Sequence, residues 1–154
     1  MKELTIENKE LLLKDLCARL PYKVKGQAVS NGKIYRISSI ISVSPSGESL
    51  LMLDNNNVDI VTLEQTKPYL RSMSNMTEEE RKELNNQGYT KIAGELYHYC
   101  ALSSNNAFYN PERHPYVRME YVIKLIDWLN AHHFDYRGLI EKGLALEASK
   151  DMYK

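Results

Sequence analysis

The chain is poor in cysteine, since Cys17 and Cys100 are the only two among 154 residues. They lie far apart and without CxxC spacing, so they indicate neither a disulfide framework nor a zinc site. Apolar neighbours surround both, and a buried, unreactive thiol is the expectation for each. The fold is therefore predicted to rest on an ordinary hydrophobic core, which a chain of this length is able to build.

The chain also lacks an excess of charge of either sign and a long apolar run. Twenty basic residues balance twenty acidic ones, so no global field attracts nucleic acid or an anionic membrane. No apolar run approaches the ~20 residues that span a bilayer, and the first residues do not have the pattern of a signal peptide. The sequence predicts a protein of the cytoplasm without a membrane partner.

Motifs that bind nucleotides, activate nucleophiles or hold calcium are missing as well. GxGxxG, GxxxxGK[ST], GxSxG and an EF-hand loop are all absent. His132 and His133 are adjacent, so on a helix their rings point about 100° apart, whereas chelation requires i, i+4 spacing. The sequence therefore predicts no catalytic residue, no cofactor and no metal site.

The first half of the chain predicts a small α+β unit. Leucines near the start indicate a short helix capped by Asn8 and stopped by Pro21, with Asp15 and Arg19 on its solvent side. Period-two patterns and, at residues 50–53, a continuous apolar run then predict four antiparallel strands, at residues 24–29, 34–43, 50–53 and 58–63. Asn31-Gly32 is typical of a hairpin turn. Helix and meander together predict a partial barrel of SH3-like type.

The second half predicts helices, and we expect two domains, 1–73 and 74–154. Thr77 and Glu80 form a capping box at the start of a helix. A further helix is predicted at 89–102 and an amphipathic one at 116–131. Asp135 is expected to cap a last short helix that Gly143 ends.

Aromatic side chains are few apart from eleven tyrosines. The single tryptophan, Trp128, precedes residues 132–137, a predicted turn between two helices that we call the corner. Trp, Tyr and Arg are enriched at interaction hot spots, and the corner predicts a protein-binding site. Its candidate residues are His132, His133, Asp135, Tyr136 and Arg137. The alternative at this point is structural, with Trp128 and Phe134 forming core between two helices.

Basic residues interleaved with tyrosine on the first hairpin and after the sheet suggest a second function. Such a surface holds phosphates and stacks bases. The candidate nucleic-acid-binding residues are Lys23, Lys25, Lys33, Tyr35, Arg36 and Arg71. Solvated hairpins commonly carry Lys and Arg, so nucleic-acid binding is the alternative to protein binding.

Three segments resemble a family, without an established activity, of proteins from phages, prophages and mobile elements of Bacteroidetes. They are residues 15–22 (DLCARLPY), residues 76–80 (MTEEE) and above all WLNAHHFDYRGLIEKGLALEA, from Trp128 to Ala148. The resemblance implies a phage-type accessory protein in the cytoplasm of a bacterial host, with a phage or host protein as its partner. It implies no catalytic residue and no oligomeric state.

Overall fold

A computed structural model describes residues 4–30, 33–54, 57–86 and 119–153 of the chain. It confirms the α+β class, with helices and a mostly antiparallel sheet. The chain divides into two compact units, Met1–Asn75 with Leu129–Lys154, and Met76–Trp128. The units are defined by packing, so whether 1–73 and 74–154 fold as separate domains stays a prediction.

The sheet lies in the first unit and consists of six strands. They are β1 Lys25–Ser30, β2 Lys33–Val43, β3 Ser49–Asp54, β4 Asn57–Thr62, β5 Thr66–Leu70 and β6 Leu146–Glu147. Their order is β4-β3-β2-β1-β5-β6, and the pairs are antiparallel except β5 with β6. Ser30 pairs with Lys33, which confirms the two-residue hairpin, although the turn itself lies outside the described residues.

The four-stranded meander is confirmed, but the sheet continues beyond it. The sequence predicted no strand after residue 63, and residues 67–69 were expected to end the β part; instead Gly26 of β1 pairs with Pro68 of β5. This pairing connects segments about forty residues apart, so local patterns do not reveal it. Because β1 gains a neighbour on each side, it is an inner strand of the sheet. The SH3-like closure stays a prediction.

Helix α1, Ile6–Arg19, covers one face of the sheet. Its cap is Thr5, whose hydroxyl accepts from the amide of Asn8, so the cap predicted at Asn8 is wrong by three residues. Leu12 and Leu16 pack with sheet residues such as Ile40 and Met52 in one core. Cys17 is exposed, which corrects the expectation of a buried thiol, while Cys100 lies outside the described residues.

The second unit contains helix α2, Glu78–Asn86, and most of helix α3, Met119–Ala131. The capping box is confirmed, because Thr77 and Glu80 each accept from the other's amide, at 3.2 and 2.8 Å. Trp128 is only 8% exposed and its indole Nε1 donates to Glu83 at 2.9 Å. The helix predicted at 89–102 falls outside the described residues. In the part of the chain that is described, no helix has the length and apolar character to cross a membrane.

Candidate functional site

The predicted corner begins where α3 ends, and its backbone is fixed by a Schellman motif. The amide of Phe134 donates to the carbonyl of Leu129 at 2.9 Å, and the amide of His133 to that of Asn130 at 3.1 Å. This motif requires a left-handed residue after the helix, usually glycine. His133 takes that position with φ of 59°. Histidine is one of the few other residues enriched there, so the corner has a defined and mildly strained geometry.

The corner then docks beside the sheet. The amide of Arg71, directly after β5, donates to the carbonyl of His133, and the amide of Asp135 donates to the carbonyl of Arg71, both at 2.8 Å. Phe134, between these two bonds, is fully buried. The corner is therefore attached to the sheet through backbone bonds on either side of a core aromatic side chain.

Asp135 binds backbone amides as predicted, but the short helix predicted after it is wrong. Its two carboxylate oxygens accept from the amides of Leu139 and Ile140 at 2.9 and 2.8 Å. Residues 136–143 nevertheless form successive turns. Gly138 has φ of 70°, a left-handed conformation that interrupts a right-handed helix. Gly143, with φ of 69°, has the left-handed conformation expected of it.

A buried ion pair on α1 lies against the corner and bonds its backbone. Asp15 and Arg19 are both 0% exposed, so their predicted place on the solvent side is wrong. Two bonds join them, Arg19 Nε to Asp15 Oδ2 at 2.7 Å and Nη2 to Oδ1 at 3.0 Å. Arg19 Nη2 also donates to the carbonyl of Phe134 at 2.8 Å. The pair is solvent-free because the corner covers this side of the helix.

His133 is the most unusual side chain of the site. It is 4% exposed and stacks on Tyr153, with ring centroids 3.7 Å apart and planes 21° apart. Its Nδ1 is buried and has no hydrogen-bond partner among the described residues. Burial, and secondly the positive charge of Arg19, lowers the pKa of His133 to about 4. The ring is therefore neutral at physiological pH, and its neighbour Tyr153 has a pKa raised by burial to about 12.

The other half of the corner reaches the surface. His132, Tyr136 and Arg137 are half-buried. The Tyr136 hydroxyl donates to Asn130 Oδ1 at 3.0 Å and accepts from Arg137 Nε at 3.3 Å. The Arg137 guanidinium lies 5.0 Å from the centroid of the Tyr136 ring and 3.4 Å from Asp15 Oδ1, with 29% of its side chain exposed. A tyrosine and an arginine are thus held side by side in fixed positions.

Two of the predicted nucleic-acid-binding residues make bonds within the protein. Lys25 Nζ donates to the carbonyl of Met152 at 2.7 Å. Arg71 donates to the carbonyls of His132 and Asn75 at 3.5 and 3.4 Å, and its guanidinium lies 4.3 Å above the ring of Phe134.

The remaining candidates are divided between the surface and undescribed positions. Lys23 and Lys33 are exposed, whereas the side chains of Tyr35 and Arg36 lie outside the described residues. Exposed lysines alone do not distinguish a nucleic-acid-binding surface from an ordinary solvated one, so nucleic-acid binding stays a prediction.

Tyr153 is a site residue that sequence reasoning missed. Its hydroxyl accepts from the amide of Lys25 at 3.0 Å and donates to the carbonyl of Tyr69 at 2.7 Å. The hydroxyl thus connects β1 to β5 where direct pairing of their backbones has ended. A lone tyrosine one residue from the end of the sequence gives no signal of this. The Asp15–Arg19 pair did give one, its i, i+4 spacing.

The described residues next to the corner line an open pocket of about 220 Å³, with side chains that include Asp135, Glu141 and Glu147. Pockets for small ligands usually measure about 300–1,000 Å³, so this pocket is smaller than a typical small-molecule site. Within the described ranges, no group of three or more His, Cys, Asp or Glu side chains is arranged to hold a metal ion.

Comparison of the chain with models of protein families, with curated proteins and with solved structures finds no match in any of the three.

Proposed function

We propose that the chain is a non-catalytic accessory protein that binds another protein through the exposed half of the corner, formed by His132, Tyr136 and Arg137. The observation that carries the proposal is the pairing of Tyr136 with Arg137, both half-exposed and both fixed by bonds to buried neighbours. Tyrosine and arginine are hot-spot residues at protein interfaces.

The buried residues that fix Tyr136 and Arg137 in place also favour a binding role. Side chains that are ordered before binding lose less conformational entropy on binding. Arg137 is positioned by Asp15, which the guanidinium of Arg19 holds in turn. In this proposal His133 and Asp135 hold the corner in shape, through the Tyr153 stack and the bonds to Leu139 and Ile140. The phage setting and a bacterial cytoplasm as the compartment rest on the resemblance of residues 128–148.

The experiment compares partner capture by the wild type, Tyr136→Ala, Tyr136→Phe and Arg137→Ala. Each variant is used as bait in a lysate of phage-infected bacteria, with quantitative mass spectrometry of cross-linked proteins. A hot spot of at least ~2 kcal/mol lowers affinity by about 30-fold. We therefore expect the principal partner to be lost with Tyr136→Ala and Arg137→Ala.

Tyr136→Phe keeps the ring and removes only the hydroxyl, which bonds both Asn130 and Arg137. It is expected to capture the partner less well than the wild type and better than Tyr136→Ala, because the ring remains while the pair loses the bonds that fix it. Circular dichroism and urea unfolding establish that each bait is folded at the capture temperature. Equal capture by all four folded baits would contradict the proposal.

A further inference from the structure

The guanidinium of Arg137 is held at one nitrogen and open at the other two. Its Nε donates to the Tyr136 hydroxyl at 3.3 Å and lies 3.4 Å from Asp15 Oδ1. The terminal nitrogens, Nη1 and Nη2, bond no residue in the part of the chain that the structure describes. Since no buried polar atom of Arg137 lacks a partner, both terminal nitrogens are open to solvent. Their four N–H groups are donors in a fixed fork.

The charges that contact this guanidinium do not balance. Among the described residues, Asp15 is the carboxylate in contact with two guanidiniums, because Arg19 bonds both of its oxygens and Arg137 lies against Oδ1. The three side chains together carry one excess positive charge. Asp135, the nearest carboxylate in sequence, binds two backbone amides and forms no ion pair with a described residue. The excess charge is therefore presented at the surface, on Arg137.

The charges around the neighbouring ring of His133 have the same sign. Burial is the first cause of its lowered pKa, and the charges that lower this pKa further are all positive. They belong to Arg19, His132, Arg71 and Lys25. The corner therefore favours an anionic group of a partner over a neutral or cationic one.

The open end of the guanidinium also distinguishes between the common anionic groups of proteins. Two parallel N–H groups match the two oxygens of a carboxylate, and one excess positive charge matches its single negative charge. A phosphorylated side chain carries about −1.5 to −2 charges at pH 7 and is usually bound by a cluster of arginines. The second arginine here, Arg19, is 0% exposed and bonded to Asp15, so it is closed to a phosphate.

We propose that the partner protein binds Arg137 through the carboxylate of an Asp or Glu side chain, whose two oxygens accept from Nη1 and Nη2. This inference rests on the proposed function, since it names the partner group that the corner recognises. Tyr136 and Asp15 are positioning residues, because they fix the direction of the fork through Nε. A fork that is already fixed loses less conformational entropy on binding.

Selection from a library of random linear peptides, displayed on filamentous phage, tests the inference. The targets are the wild type, Arg137→Gln, Tyr136→Ala and Lys82→Gln. Arg137→Gln removes the charge and the fork, and Asp15 keeps its two bonds to Arg19. Lys82→Gln is the matched control, because it removes the same charge from an exposed residue of α2. We expect one Asp or Glu to be enriched in peptides selected by the wild type and by Lys82→Gln, and not in those selected by Arg137→Gln.

Fluorescence anisotropy then measures the affinity of the most enriched acidic peptide and of a copy in which the acid is replaced by its amide. A hydrogen-bonded charge pair corresponds to at least about 10-fold in affinity. We expect Arg137→Gln and the amide peptide each to weaken binding by this factor, and the two together to weaken it no further, because both remove the same bond. A purely structural role of Arg137 would instead weaken both peptides alike. Raising NaCl from about 50 to 500 mM should weaken binding of the acidic peptide more than that of its amide copy.

Circular dichroism and urea unfolding establish that each target is folded. Should Arg137→Gln fold poorly, Arg137→Lys replaces it. This variant keeps the charge without the fork, so it should bind the acidic peptide more weakly than the wild type while still preferring it to the amide copy.

Two results would overturn the carboxylate and leave the proposed function standing. One is a set of peptides that depends on Tyr136 but has no acidic preference or the same preference with Arg137→Gln. The other is tighter binding of a phosphoserine peptide than of the acidic one. Peptides that bind all four folded targets equally would contradict both this inference and the proposed function.

Discussion

Acidification should destabilise the protein through His133. Burial, reinforced by the charge of Arg19, lowers the pKa of this ring from 6.5 to about 4. Above pH 6.5 the ring is neutral in both the folded and the unfolded chain. Between pH 6.5 and 4 the unfolded chain takes up a proton that the folded protein does not, so the free energy of unfolding falls with falling pH by about 1.4 kcal/mol per pH unit.

The expected loss is large relative to the stability of a small protein. Over the 6.5-to-4 window it reaches about 3 kcal/mol, compared with about 5–15 kcal/mol for the whole free energy of unfolding. The geometry explains why the folded protein resists protonation. A charged ring would stack on Tyr153 with its buried Nδ1 unbonded to any described residue and with Arg19 nearby.

Urea unfolding at pH 7.5, 6.5, 5.5 and 4.5 measures this effect in the wild type, His133→Asn and His132→Asn. Asparagine does not titrate and tolerates the left-handed φ of 59° at this position. His133→Asn should therefore lose about 2–3 kcal/mol of the decline between pH 6.5 and 4.5. His132→Asn, at the half-buried neighbour, keeps His133 and should therefore retain most of the decline.

Carboxylates that titrate in this range act on all three proteins alike and cancel in the comparison. The same decline in His133→Asn as in the wild type would refute the reasoning. A direct NMR titration gives a second check, since a His133 pKa near 6.5 in the folded protein would show that the ring is solvated.

Three further predictions concern stability at neutral pH, measured by urea unfolding. Gly47→Ala should lower the free energy of unfolding by about 2–4 kcal/mol, because φ is 72° and the new Cβ would lie 2.7 Å from Leu13 Cδ2. Gly138→Ala has a similar φ of 70°, but its new Cβ would meet no atom within 4 Å. It should therefore cost only about 1–2 kcal/mol. Asp15→Asn should cost about 3–5 kcal/mol, since it leaves a buried guanidinium uncompensated. Tyr153→Phe should cost about 1–3 kcal/mol and speed hydrogen exchange at the amide that the hydroxyl satisfies. Equal costs for the two glycine variants, a neutral Asp15→Asn or unchanged exchange would each contradict the corresponding account.

The sheet could largely be predicted because its first four strands interact with their sequence neighbours. The Asn31-Gly32 turn and the period-two patterns are local signals, and the strand bounds differ from the predicted ones by one residue at most ends. Strand β5 was missed because its pairing with β1 is long-range and because Pro68 argues against a strand. Local chemistry also identified the Thr77 capping box, while it misplaced the cap of α1 at Asn8.

The corner could be found in the sequence, but its division into buried and exposed halves could not. Whether Asp15 and Arg19 face solvent depends on Phe134, which lies 115 residues beyond Arg19 in the chain. Charged residues at i, i+4 spacing usually indicate a solvated helix face. The left-handed conformation of His133 could not be predicted either, because glycine usually takes this position after a helix and a histidine gives no signal of it.

The polar network of Asp15 and Arg19 connects the buried and the exposed residues of the corner. Buried ion pairs add little stability relative to apolar residues, but they constrain which arrangement of the chain leaves no charge unpaired. Here the arrangement in which Arg19 bonds Asp15 and the carbonyl of Phe134 has Phe134 in the core and Arg137 at the surface. After the corner, residues 146–147 form β6, which pairs with β5 in parallel, and the Tyr153 hydroxyl then bonds the backbone of β1. One buried pair therefore connects the core of the first unit to the exposed Tyr136–Arg137 pair.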